Sequence, residues 1–119
     1  MMHVASTIPI RAVLMSSEIM NGGAGFHRLV FKVDGGRAGM STVTVLISQD
    51  AHRKLVQQMA RARFVPVEKA TLLKTWARWE LAMRLEEYGI LPATVTITSR
   101  DIDDFGAYAC DLGRTLQVG

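Results

Sequence analysis

The chain has 119 residues, of which 49% are hydrophobic and 21% are charged. This is the usual size of one domain, and a chain of this length needs no disulfide or metal to fold. The composition excludes global disorder. Residues 1–64 carry eight Lys or Arg against three Asp or Glu, whereas residues 65–119 carry six against eight. A basic first half suits an acidic partner, and the asymmetry equally suits a second copy of the chain.

The first half of the sequence has the period-two pattern of strands. Apolar and polar residues alternate over residues 8–14, before a glycine-rich loop at Asn21–Gly25. The alternation returns over residues 27–47, where Asp34, Gly35 and Gly36 give a strong turn signal. We therefore expect a first strand followed by an antiparallel hairpin with a loose tip.

Two helices are predicted next. Ser48 is a good N-cap for a helix whose apolar stripe runs through Ala51, Leu55, Met59 and Ala62. Pro66 suits the first turn of a second helix, which is expected to run to Tyr88 and to stop at Gly89.

The remaining residues predict one more strand and one more helix. Val95 and Ile97 alternate with threonines after Pro92. Thr98 or Ser99 can cap a short last helix with Ile102, Phe105 and Ala109 facing inward, and residues 112–119 are expected to add an edge strand or to fray. The order β-β-β-α-α-β-α predicts a single α+β domain, with a mainly antiparallel sheet and two long helices packed on one face.

The second predicted helix has two apolar stripes where a surface helix needs one. One stripe contains Leu72, Trp76, Trp79 and Met83, and the other contains Ala70, Leu73, Ala77, Leu81 and Tyr88. One interpretation is a central helix that is covered on both sides. A second is that the tryptophan stripe is an interface with a second copy, since aromatic residues are enriched at such surfaces. A third is that the stripe lines a cofactor or ligand site.

These segments together resemble a family. The matching segments are residues 29–35, 43–48 with Ala51 and Leu55, 77–80, Tyr88 with Gly89, and 95–98 before Asp101 and Ile102. Over about residues 28–103 the chain resembles the short bacterial domains of unknown function built from a β-hairpin, two helices and a closing strand. The resemblance implies an α+β fold, no established activity and no catalytic residue to transfer.

The sequence contains no recognisable catalytic, metal or cofactor motif. His3, His27 and His52 have no partners at metal-binding spacings, and each is interpreted as a satisfied or solvent-facing side chain. The glycine-rich loop lacks the spacing of a phosphate loop, and the aspartates at 101, 103, 104 and 111 suit capping and solvation. His52 serving the lone cysteine, Cys110, as a base remains an open possibility.

A group of basic residues surrounds the predicted junction of the two long helices. Its members are Arg53, Lys54, Arg61, Arg63, Lys69 and Lys74. Such a group can neutralise phosphates, but no aromatic residues are interleaved with it, and a solvated basic face is the favoured interpretation.

The lone cysteine and the absence of a long apolar segment predict where the protein acts. Cys110 cannot form an intrachain disulfide, which fits a reducing compartment. The stretch from Ile8 to Met15 is interrupted by Pro9 and Arg11 and is far shorter than the ~20 residues of a membrane helix. It also lacks a basic leader, so we expect neither a signal peptide nor a membrane partner but a cytoplasmic protein.

These observations predict a non-enzymatic binding or regulatory protein, an adaptor or an inhibitor. It is expected to act through protein–protein contacts as a homodimer, with no cofactor. A nucleic-acid-binding regulator that uses the basic helical surface is the first alternative. A small enzyme whose site is assembled from distant residues is the second.

Overall fold

The computed structural model describes residues 11–20, 25–34, 39–103 and 106–118. The strands are β1 (Arg11–Met20), β2 (Phe26–Asp34), β3 (Met40–Ser48) and β4 (Thr94–Ile97). The helices are α1 (Gln49–Arg61), α2 (Lys69–Tyr88) and α3 (Ala107–Val118), with a short 3₁₀ helix at Ser99–Ile102. The predicted element order and the α+β class are confirmed.

The four strands form one sheet in the order β1-β2-β3-β4. β1 pairs with β2 and β2 with β3 in antiparallel fashion, whereas β4 lies parallel to β3. The predicted hairpin over residues 27–47 is confirmed as β2 and β3, although the turn at 35–38 lies outside the described residues. The first strand was predicted over residues 8–14, of which 8–10 lie outside the described residues. In the structure the strand runs from Arg11 to Met20.

One face of the sheet forms the core. In β2, Leu29, Phe31 and Val33 are buried and Lys32 between them is exposed. Every second residue of β3 is likewise buried from Val43 to Ile47. The buried face packs on residues of the helices, such as Leu55, because a strand that turns alternate side chains inward needs one covering layer.

The start of α1 follows the sequence closely. The Ser48 hydroxyl accepts a hydrogen bond from the Ala51 amide at 3.0 Å, as expected of an N-cap. Ala51, Leu55 and Met59 are buried along one stripe, which confirms the predicted apolar face. The helix ends at Arg61, and Arg63, two residues further on, has a left-handed φ of 64°.

The predicted start of α2 at Pro66 is wrong. Residues 64–68 form a connection without helix or strand, and α2 begins at Lys69 with Glu68 at its N-cap. Pro66 disfavours a helical conformation at Val65, and Phe64 and Val67 pack against the core from this connection. The predicted end is confirmed, since Gly89 has a left-handed φ of 76° and its amide bonds to the Leu85 carbonyl oxygen.

The C-terminal segment is longer and more helical than expected. Thr98 precedes the 3₁₀ helix, and its amide bonds to the Asp101 carboxylate at 2.7 Å. Gly106, with a φ of 83°, separates that turn from α3, so the predicted short helix is two elements. The prediction of an edge strand or a frayed tail at 112–119 is wrong for residues 112–118, which belong to α3. Ala109 and Leu112 recur at helical spacing and are buried. Of the three residues expected to face inward, Ile102 and Ala109 do, and Phe105 lies outside the described residues.

Candidate binding cleft

An open cleft of about 390 Å³ lies where β2, α1 and the start of α2 meet. We call it the histidine cleft. It is lined by His27 of β2, by Lys69 of α2, and by Gln49, His52, Arg53, Val56 and Gln57 of α1. Each of the three elements therefore contributes a basic or titratable side chain to one concave surface.

The β2–β3 register brings the two histidines together. Phe26 pairs with Ser48 and His27 with Ile47, so the beginning of β2 lies beside the end of β3. Because α1 starts directly after Ser48, its first turn carries His52 over this end of the sheet. The link is tight, since the Gln49 amide donates to the Gly25 carbonyl oxygen at 3.0 Å.

Gly25 is needed at this point of the chain. Its φ is 62°, and an added Cβ would lie 2.7 Å from the Gln49 side chain. The left-handed backbone conformation favours glycine here. The close atoms of Gln49 are the far end of a flexible side chain, so a Cβ would require that amide to move within the cleft.

The two imidazole rings contact each other edge to face. Their centroids are 5.5 Å apart and their planes are inclined by 70°. His27 is buried, with 3% of its surface exposed, and its Nδ1 has no hydrogen-bond partner among the described residues. The interpretation of His27 as a satisfied or solvent-facing side chain is therefore wrong, whereas His52 is half-buried.

Both histidines are held in the neutral form. Burial lowers the pKa of His27, and the nearby Lys69 ammonium lowers it further. Burial, Lys69 and His27 all lower the pKa of His52. A neutral imidazole offers one donor and one acceptor, so at neutral pH each ring can still form hydrogen bonds with a ligand.

The rim of the cleft is cationic. Lys69 is exposed and makes no ion pair within the described part of the chain. Arg53 pairs with Asp50 at 3.2 Å, but both side chains are largely exposed, and such pairs contribute little and exchange readily. Among the described residues, no carboxylate lines the cleft.

This arrangement favours an anion over a cation. The positive charge of Lys69 that depresses both histidine pKa values would also repel a metal ion. The described residues contain no group of three metal-ligating side chains. An anion would instead meet Arg53 and Lys69 at the rim and the two imidazoles inside, and its charge would favour protonation of both rings.

The structure divides the predicted basic group. Arg53 and Lys69 meet at the histidine cleft. Lys54 pairs with the Asp103 carboxylate and donates to the Ser99 carbonyl oxygen, so its charge is compensated. The other members of the group are exposed and line no part of the cleft: Arg61, Arg63 and Lys74.

The tryptophan stripe is largely inside the protein. Leu72, Trp76 and Trp79 are buried, and both tryptophan rings contact Tyr108 of α3. Met83 is 41% exposed. The interface hypothesis required these side chains to be exposed in a single chain, and for three of the four that requirement is not met. Tyr108 of α3 packs against the two tryptophans, whereas Leu72 lies at the junction of α1 and α2.

A polar network accompanies this packing. The Trp76 indole donates to the Tyr108 hydroxyl, which in turn donates to the buried carboxylate of Glu80. Arg84 also donates to Glu80, at 3.3 Å. Burial raises the pKa of Tyr108, and the neighbouring Glu80 carboxylate raises it further, so this hydroxyl remains a donor at physiological pH.

Sequence reasoning missed the partner of His52. His52 meets His27, and Cys110, on α3, does not line the cleft. The sequence did contain a signal for this contact. A hairpin over residues 27–47 places His27 beside residue 47, and the helix that carries His52 starts directly after that strand. The approach of Lys69 had no such signal, because it depends on the path of the connection at 64–68.

Comparison with known proteins finds no matching family model, no matching curated protein and no matching solved structure. The resemblance to short bacterial domains therefore stays a prediction. Among the described residues, no helix combines the length and apolar character needed to cross a membrane.

Proposed function

We propose that this protein is a non-enzymatic binding module that recognises an acidic segment of a partner protein through the histidine cleft. The observation that carries the proposal is the convergence of Arg53, Lys69, His27 and His52 on one open concavity. A carboxylate that enters the cleft loses its hydrating water and gains contacts with two cationic side chains and with imidazole N–H donors. Charge-assisted hydrogen bonds of this kind are the stronger ones in proteins.

A protein ligand fits this surface better than a nucleic acid. Single-stranded nucleic acid is held by aromatic platforms beside the basic groove, and the described residues that line the cleft include no phenylalanine, tyrosine or tryptophan. A duplex presents phosphates over a long path, but Lys54, the neighbour of Arg53, is already paired with Asp103. Nucleic-acid binding through the whole basic group remains the alternative proposal.

Binding also accounts for the cleft more simply than catalysis. Where the structure describes the lining of the cleft, it contains no serine, threonine, cysteine or carboxylate that could act as a nucleophile beside the imidazoles. The lone cysteine supports a cytoplasmic site of action as part of the same proposal. A homodimer stays a prediction, and its interface would have to use a surface other than the buried tryptophan stripe.

Charge reversal at the cleft tests the proposal. We expect a fluorescent peptide that carries two adjacent glutamates to bind the wild-type protein at ~50 mM salt. Lys69→Glu replaces attraction with repulsion and should lower the affinity for this peptide at least about tenfold. Fluorescence anisotropy gives the affinity. The matched control is Lys74→Glu, an exposed lysine of the same helix that lies outside the cleft.

Equal weakening by Lys69→Glu and Lys74→Glu would show diffuse charge attraction and would contradict a site at the cleft. Tight binding of a single-stranded oligonucleotide, lost in Arg61→Glu, would favour the nucleic-acid alternative.

A further inference from the structure

A second concavity adjoins the histidine cleft. It has a volume of about 100 Å³ and lies at the junction of α1 and α2, where Met59 and Leu72 are buried and Val65 is 70% exposed. We call it the junction pocket. The described residues that line it all have apolar side chains; the others are Val56, Ala60, Phe64, Pro66 and Val67.

The junction pocket and the histidine cleft share a wall. Val56 lines both concavities and is itself partly exposed. Along α1, Arg53 of the cleft and Met59 of the pocket are six residues apart, or about 9 Å at 1.5 Å per residue. An extended peptide advances about 3.3 Å per residue, so about three residues span this distance.

We propose that the two concavities form one bipartite docking surface for a segment of a partner protein that carries acidic residues and, about three positions away, an aliphatic side chain. This inference rests on the proposed function, since the acidic end occupies the histidine cleft. The aliphatic side chain occupies the junction pocket and packs on Val56 and Val65.

Charge and size determine the occupant. The cationic rim selects an acidic segment, and the pocket beside it offers apolar walls. Its volume is about that of three waters at roughly 30 Å³ each, which is room for one aliphatic side chain. A nucleic acid has no aliphatic group to place there, so the pair of concavities favours a peptide.

The walls of the junction pocket are more exposed than its base. Val65 and Val56 remain accessible although the neighbouring Met59 and Leu72 are buried. A ligand that covers Val56 and Val65 gains apolar contact area beside the buried Met59 and Leu72. The free energy gained by burying an aliphatic side chain is large enough to change the affinity measurably.

Four labelled peptides in a glycine–serine background test the proposal by fluorescence anisotropy. Two contain a pair of glutamates with a leucine three positions after or before it, and two have serine in place of that leucine. We expect the better leucine peptide to bind at least about tenfold tighter than its serine counterpart. We expect Val65→Ser to remove most of this difference, while the serine peptides bind as before.

The control is Ile90→Ser. Ile90 is 68% exposed, much like Val65, and lies beyond the end of α2, outside the pocket. It should leave the difference between leucine and serine peptides unchanged.

The outcomes separate this inference from the proposed function. Equal binding of leucine and serine peptides, with both weakened by Lys69→Glu, overturns the bipartite surface and leaves the acidic site intact. A leucine advantage that survives Val65→Ser also overturns it. Failure of every peptide to bind overturns both proposals.

Discussion

At the scale of single residues, the charge of His27 and His52 is set by burial and by Lys69. Both factors hold the two pKa values below the ordinary value near 6.5. The rings are therefore neutral in the folded protein at neutral pH, while the unfolded chain takes up protons as the pH falls through 6.5. The unfolded state binds more protons in that range, so acidification favours unfolding.

The free energy of unfolding is accordingly expected to be flat between about pH 7.5 and pH 8.5 and to fall between about pH 7 and pH 5.5. Urea denaturation at these pH values measures it. Lys69→Gln removes one cause of both lowered pKa values and should make the fall shallower. Unchanged stability between pH 7.5 and 5.5 in the wild type would contradict neutral, buried histidines.

At the scale of elements, α2 and α3 are joined by the polar network around Tyr108. Its hydroxyl accepts from Trp76 and donates to Glu80, while its ring contacts both tryptophans. This packing explains how α2 carries two apolar stripes in one chain, because α3 covers the stripe that contains Trp76 and Trp79. The network also satisfies the buried carboxylate of Glu80.

Tyr108→Phe is predicted to destabilise the protein by about 2–3 kcal/mol, because it leaves the Trp76 indole and one oxygen of the buried Glu80 carboxylate, Oε2, without a hydrogen-bond partner, while Arg84 still bonds to the other oxygen. Tyr88→Phe is the matched control, since Tyr88 is 65% exposed, and it should change stability by less than about 0.5 kcal/mol. Denaturant unfolding compares the two. Equal effects would mean that the network contributes nothing.

Local patterns determined which elements were predictable. The period-two alternation of β2 and β3, the Ser48 cap and the Gly89 stop all act over a few residues, and all were predicted. The start of α2 and the length of α3 were not, because they depend on distant packing. Gly113 of α3 is an example, since a Cβ there would lie 2.7 Å from the Phe64 ring.

At the scale of the whole molecule, the candidate site is a product of topology. Arg53 and Lys69 were singled out as part of a basic group, but their convergence on His27 requires the hairpin register and the path of residues 64–68 together. A pattern within one segment carries no information about that meeting. The sequence therefore predicted the fold class and the cationic residues, but not the cleft.

The central claim is that an anionic ligand occupies the histidine cleft, and the imidazole pKa values test it most directly. We would titrate His27 and His52 by NMR with and without a saturating peptide that carries two adjacent glutamates, using the glutamine version as control. A bound carboxylate stabilises the protonated rings, so the account predicts that the glutamate peptide raises the pKa of both histidines and that the glutamine peptide does not. Unchanged pKa values for both histidines in the presence of bound glutamate peptide would contradict it.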